Sequence, residues 1–206
     1  SGYIQLFLLK LATNGVIDAA FDANDSDPSD DVFLVQMTAS TNYDAIDIVQ
    51  LSNNDLIMVG NPTSGTSFDL AKFDYSALTL DSTFGTSGVT SINIENDADA
   101  TSMVLDGNED LFVVGTANNG SNQDGFVTKI ESDTGALSSL FNAFANQLGD
   151  TGYILYDNGG NETIDQIIYT NDGKYMLIDT KTGQEGKLDI RIKVFDLTVD
   201  DTPPLS

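Results

Sequence analysis

The run Asp22-Ala23-Asn24-Asp25-Ser26-Asp27-Pro28-Ser29-Asp30-Asp31 is the densest set of oxygen donors in this sequence. Calcium takes several oxygen ligands, and carboxylates two residues apart in a loop converge on one ion. Asp22, Asn24 and Ser26 keep a D-x-N-x-S spacing, with Asp25, Asp27, Asp30 and Asp31 as further donors. Asp27 stands where an EF-hand loop needs Gly, and no Glu closes the run. A second candidate is Asp106, Asn108 and Asp110, a D-x-N-x-D spacing with Leu111 at the Gly position. Turns select Asp, Asn and Gly for backbone reasons, so a hairpin competes with an ion there. A solvated acidic loop is the expected state of these runs, with calcium as the candidate cofactor if one is bound.

Other chemistries lack their residues. The chain has no His and no Cys, which removes imidazole acid-base catalysis, thiol nucleophiles and zinc sites of the His/Cys kind. No G-x-S-x-G elbow and no phosphate-cradling Gly loop is present. Paired carboxylates of the glycosidase type remain, but among 32 acidic residues some pair falls close by chance. A non-enzymatic protein is expected.

Eight basic residues against those 32 acids give a net charge of -24, which repels nucleic-acid phosphates and anionic lipid headgroups. Neither is an expected partner. The apolar stretch Ile4 to Leu11 is interrupted by Gln5 and Lys10 and is far short of the roughly 18 residues a spanning helix needs, so direct membrane insertion is not expected. Bases concentrate late, at Lys174, Lys181, Lys187, Arg191 and Lys193.

The elements that would position these groups repeat. Ala45 to Gly60 aligns with Ala100 to Gly115, matching Ala45/Ala100, Val49/Val104, Asp55/Asp110, Leu56/Leu111, Val59/Val114 and Gly60/Gly115. Ile164 to Asp179 keeps the apolar pattern as a third copy, with Asp172-Gly173 at the turn. Lys10-Leu11, Lys72-Phe73, Lys129-Ile130 and Lys193-Val194 each end a strand-like run, and Phe21, Phe84 and Phe141 follow the first three lysines at nearly constant spacing. Leu188, Ile190, Ile192 and Val194 alternate with Asp189, Arg191, Lys193 and Phe195, the pattern of a half-buried strand. Continuous runs such as Leu56 to Val59 and Leu111 to Val114 suit strands covered on both faces.

These patterns predict an all-β, propeller-like array of four-stranded antiparallel blades, about three and a half of them. The units are residues 1–42 (partial), 43–96, 97–157 and 158–197, one repeat domain over 1–197, with an acidic, Pro-containing linker-like tail at 198–206. Leu137, Leu140, Phe141, Phe144, Ala145 and Leu148, followed by Gly149, predict one short inserted helix.

The stretch Leu80-Asp81-Ser82-Thr83-Phe84-Gly85-Thr86-Ser87-Gly88, followed by the strand pair Ala100 to Gly115 and the polar loop Asn118 to Asp124, resembles the bacterial delta-sixty propeller repeats of secreted and cell-surface proteins. Unit three departs from that pattern, carrying Asp179 in place of the closing Gly. The resemblance implies an extracellular repeat module at the cell surface and transfers no catalytic residue. The expected function is binding or adhesion toward a protein or glycan ligand within a larger surface protein. One alternative is a subunit of a self-assembling filament, whose leading strands near 3–11 and 32–38 complete the unfinished blade of another copy. A carboxylate-pair glycan-active enzyme is a further alternative.

Overall fold

A computed structural model describes residues 6–18, 33–35, 37, 41–138, 141, 152–157, 159–182 and 188–195. Four antiparallel sheets follow one another along the chain. The first pairs β1 (Leu6–Leu8) with β2 (Phe33–Val35). The second holds β3 (Tyr43–Gln50), β4 (Leu56–Pro62) and β5 (Phe68–Asp74), with β6 (Thr79–Leu80) and β7 (Val89–Ile92) both along the outer side of β5. The third is β8 (Ala98–Leu105), β9 (Leu111–Asn118), β10 (Gln123–Ile130) and β11 (Tyr153–Tyr156). The fourth is β12 (Glu162–Tyr169), β13 (Tyr175–Thr182) and β14 (Leu188–Phe195). The protein is all-β and propeller-like, and its sheets are called blades below, the first being a half-blade. The expected helix lies almost entirely outside the described residues, as does the 198–206 tail.

Three apolar seams hold the blades face to face. Leu8 and Met37 of the half-blade region meet Met58, Ala71 and Phe73 of blade 1. Ile57, Val59, Leu70 and Phe84 of blade 1 meet Met103, Leu111, Val113 and Ile130 of blade 2. Phe112, Val114, Val127 and Phe141 of blade 2 meet Ile164, Ile167, Tyr175 and Leu177 of blade 3. Period-2 geometry explains the continuous apolar runs: in Ile57-Met58-Val59, alternate residues serve different seams.

The signature phenylalanines are the plugs. Phe84 is fully buried between blades 1 and 2, and the Gly85 amide donates to the Thr134 carbonyl of blade 2 at 2.9 Å. Phe141 does the same work one seam later, edge-on to Phe112 with centroids 5.3 Å apart. Phe21 lies outside the described residues. The residue after each signature Leu or Ile closes back on the third strand: the Asp18, Asp81 and Ser138 amides donate to the carbonyls of Lys10, Lys72 and Lys129.

Two details escape any reading of apolar periodicity. Each of β3, β8 and β12 carries a bulge at the same repeat position, where Ile46, Thr101 and Asp165 are the extra residues. Each following hairpin holds a left-handed residue at the same place: Asn54 at φ 75°, Glu109 at 66° and Gly173 at 80°.

The lysine alignment needs one correction. Lys72 pairs with Ile57 and Lys129 with Phe112, but in blade 3 the equivalent Met176 pairs with Val194. Lys193 is one residue out of register, which in a strand means the opposite face. The half-buried strand expected at β14 is also inverted. Ile190, Ile192 and Val194 are 74, 65 and 57% exposed, while Arg191 and Lys193 turn inward to the buried Asp179. Among the described residues, no sheet lies on that apolar face. No helix among them is long and apolar enough to cross a membrane.

Candidate functional site

The bulges determine where polar groups gather. An extra residue re-aims the side chains around it, and Ile46 and Thr101 both line a cleft of about 630 Å³ between blades 1 and 2. Its polar lining is Asp44, Asn61, Thr63, Asp99, Thr101, Thr116 and Gln123, with no basic residue. Asp44 and Asp99 occupy equivalent positions in successive repeats, opposite Asn61 and Thr116 in the hairpin ladders.

The walls are fixed by pairing that crosses the blades. The Asn61 carboxamide donates to the Ala100 carbonyl and accepts from its amide, both at 2.9 Å, imitating a strand partner. Asp47 accepts from the Met103 amide at 2.9 Å. The Thr101 hydroxyl donates onward to the Ile164 carbonyl of blade 3. Gly115 is required at the cleft's back, because a Cβ there would sit 2.0 Å from the Asp99 carbonyl oxygen. The Asp99 carboxyl is held above its ordinary pKa by burial, with the negative charges of Asp97 and Asp44 adding to the effect.

The candidate calcium ligands separate into two cases. Asp22, Asn24, Asp25, Asp27, Asp30 and Asp31 lie outside the described residues. Asp106 and Asp110 direct their Oδ2 atoms at Lys129 Nζ, at 2.8 and 3.0 Å, so the cation between them is the chain's own ammonium. Burial works against the charge on Lys129, but the two carboxylates outweigh it and keep its pKa raised. Asp106 Oδ1 also accepts from the Asn108 and Asp110 amides at 2.8 and 2.9 Å, the turn chemistry that competes with an ion at this spacing. Lys129 turns to these acids because Ser138 stands where Asp18 and Asp81 answer Lys10 and Lys72.

A third acidic group has no local spacing to announce it. One carboxylate oxygen each from Asp124, Asp157 and Glu162 falls within 4.8 Å of the others, at the junction of blades 2 and 3. Burial, then Asp157 and Glu162, push the Asp124 carboxyl up, against the carboxamides of Asn119 and Asn122 that donate to it at 2.6 and 2.8 Å. Lys181 Nζ lies 3.2 Å from Glu162 Oε1. These are oxygen donors of the kind calcium takes, and among the described residues Lys181 and the carboxamides of Asn119 and Asn122 face their charge. Nearby, Asp179, at the closing-Gly position, is held by Arg191 at 2.8 Å and Lys193 at 3.0 Å. Lys193 also stands 4.7 Å from the Tyr156 ring centroid, and burial followed by the Asp179 charge raises that phenol to about 12.

No family model matches the chain, and no curated protein matches it either. Among solved structures it is similar to a GH43 β-1,3-galactosidase in complex with galactodeoxynojirimycin, at 9% identity and a TM-score of 0.38. That likeness covers 73% of this chain, which spans 45% of the enzyme's length.

Proposed function

We propose that this chain is a non-enzymatic, extracellular binding module of the delta-sixty propeller-repeat kind, part of a surface protein. Its interblade cleft takes a basic side chain of a protein partner. The observation that carries the reading is the cleft's lining: two repeat-equivalent carboxylates, carboxamides and hydroxyls, with no cation of its own. A Lys or Arg entering it relieves the repulsion that Asp99 feels from Asp44 and Asp97 and finds acceptors on several sides. The lining also lacks an aromatic ring, so a sugar would have no stacking platform. Without His or Cys the cleft holds no imidazole-activated hydroxyl and no thiol nucleophile.

Binding is read by fluorescence anisotropy with labelled Arg- or Lys-containing peptides, alongside a neutral oligosaccharide panel. Peptide binding is expected to weaken with salt and to fall at least about tenfold in Asp44→Asn and Asp99→Asn, the scale of one lost charge-assisted pair. Oligosaccharide binding without peptide binding, or turnover of any glycoside, would overturn the proposal.

A further inference from the structure

Lys129, Asp106 and Asp110 are arranged as a reactive triad as well as an ion pair. Lys129 and Asp106 are nearly closed off from solvent, their side chains 6 and 8% exposed, with Nζ 2.8 Å from Asp106 Oδ2. The Phe112 ring stands 5.6 Å from that nitrogen and packs against the buried Tyr175. Asp110 Oδ2 lies 3.0 Å from the same nitrogen. An amine, a carboxyl carbon and a second carboxylate able to carry protons therefore meet in one water-poor place.

The hairpin turn supplies a fourth part. Asp106 Oδ1 accepts from the Asn108 and Asp110 amides at 2.8 and 2.9 Å. Two backbone donors on one oxygen are what an oxyanion hole presents to a developing negative charge. They also hold the carboxyl so that Oδ2, rather than Oδ1, faces Lys129. Blade 1 lacks this set. The Leu51 and Asp106 amides close equivalent turns onto the carbonyls of Asp55 and Asp110, so Leu51 stands at the position of Asp106. Asp55 accepts from the Tyr75 amide at 3.1 Å, and Lys72 meets Asp81 at 3.3 Å instead.

We infer that Lys129 Nζ and Asp106 Cγ join in an isopeptide bond, with Asp110 carrying the protons. The ammonium prevails at rest, so the reaction begins when Asp110 Oδ2 takes one of its protons. The nitrogen lone pair then attacks Asp106 Cγ, and the carbonyl π electrons move onto Oδ1 beneath the two amides. Asp110 passes its proton to Oδ2, takes a second from nitrogen and delivers that as well. The C–Oδ2 bond breaks, Oδ2 leaves as water, and Asp110 is a carboxylate again. An ammonium and a carboxylate have become a neutral amide and one water, and nothing is oxidised or reduced.

The bond ties the turn between β8 and β9 to β10, closing a covalent ring from residue 106 to residue 129 within blade 2. A chain without Cys has no disulfide for this purpose, and an amide also withstands reducing agents. The reaction runs once per molecule, after folding has assembled the triad. Exclusion of water from the site favours the side that releases it and protects the amide from hydrolysis.

Intact-mass spectrometry of the whole chain, denatured after purification and again after prolonged incubation in the folded state, tests the inference. Wild type is expected to be lighter than its sequence mass by one water. Its digest is expected to contain a branched peptide joining Lys129 to Asp106, with no tryptic cut after Lys129. Lys129→Arg keeps the positive charge without an amine nucleophile, and Asp110→Asn keeps the shape without the proton carrier. Both are expected at full mass with wild-type circular dichroism. Asp106 is followed by Gly107, so cyclisation onto the Gly107 amide nitrogen is a competing loss of one water. Water lost equally from Lys129→Arg, or a wild-type digest without the branched peptide, would overturn the inference. So would wild type at full mass after the incubation. Should either variant fail to fold, the wild-type digest decides, because the branched peptide is either present or absent.

Discussion

Phe84 should contribute more to stability than any side chain of the cleft. Its ring is fully buried in the seam between blades 1 and 2. The wall it touches is the backbone of the turn at Gly135, where a Cβ would lie 3.0–3.1 Å from three ring atoms. That turn is tied down by the Gly135 amide to the Glu131 carbonyl and by the Gly85 amide to Thr134, each at 2.9 Å. A cavity walled by pinned backbone cannot collapse, so Phe84→Ala should cost about 4 kcal/mol, within the roughly 3–5 kcal/mol span for such truncations. In urea at 25 °C, with a slope of about 2–3 kcal/mol/M for a chain of this size, the midpoint falls by roughly 1.3–2 M. Gly135→Ala separately tests the contact. Its φ of +73° is strained for alanine, at about 1–2 kcal/mol, and the new methyl meets the ring as well. Without the ring only the backbone strain remains, so the double variant should be less damaged than the sum by about 1–2 kcal/mol. Additivity within about 0.5 kcal/mol, or a Phe84→Ala loss under about 1.5 kcal/mol, would refute the reasoning that this phenylalanine plugs the seam.

Two further outcomes follow from the charges. Lys129→Met leaves Asp106 and Asp110 facing each other without their ammonium, and Lys129 is 5% exposed; denaturation should show a loss of about 3–5 kcal/mol, partly recovered by adding Asp110→Asn. Asp99 has a folded pKa above its unfolded value of 3.8, so the folded state binds more protons in that interval. Stability contributed by protonated Asp99 is therefore full below pH 3.8 and is lost as pH rises through the folded pKa. Thermal melts of Asp99→Asn should flatten against wild type over that interval, and a wild-type slope unchanged by the substitution would count against the buried, crowded carboxyl.

Strand positions were legible because a strand needs only alternation and turn chemistry, both local. The apolar runs Leu56 to Val59 and Leu111 to Val114 mark strands in the sequence alone, and the structure has them in Leu56–Pro62 and Leu111–Asn118. The repeat was equally plain, since the same seam must be built more than once and so demands the same Leu, Val, Phe and Gly at recurring places. Other features depend on neighbours that are distant in sequence. The bulges at Ile46, Thr101 and Asp165 leave no signature in apolar spacing, so the cleft they shape could not be read. Asp124 lies on β10, Asp157 just after β11 and Glu162 on β12, and no motif spacing links them.

Asp106, Asn108 and Asp110 illustrate the limit of local reading. Their spacing suits an ion or a turn equally, and only the fold brings Lys129 from β10 to stand between two of them. β14 illustrates it again: alternation correctly separates Ile190, Ile192 and Val194 from Arg191 and Lys193, but which set faces inward depends on what lies across the sheet. Residue order along the chain thus determined the strands, the repeat, the acidity and the chemistries this protein lacks. Tertiary packing decided which carboxylates meet, which lysine answers them and which apolar face stays open, because each of those depends on strands or blades brought together from separate places in the chain.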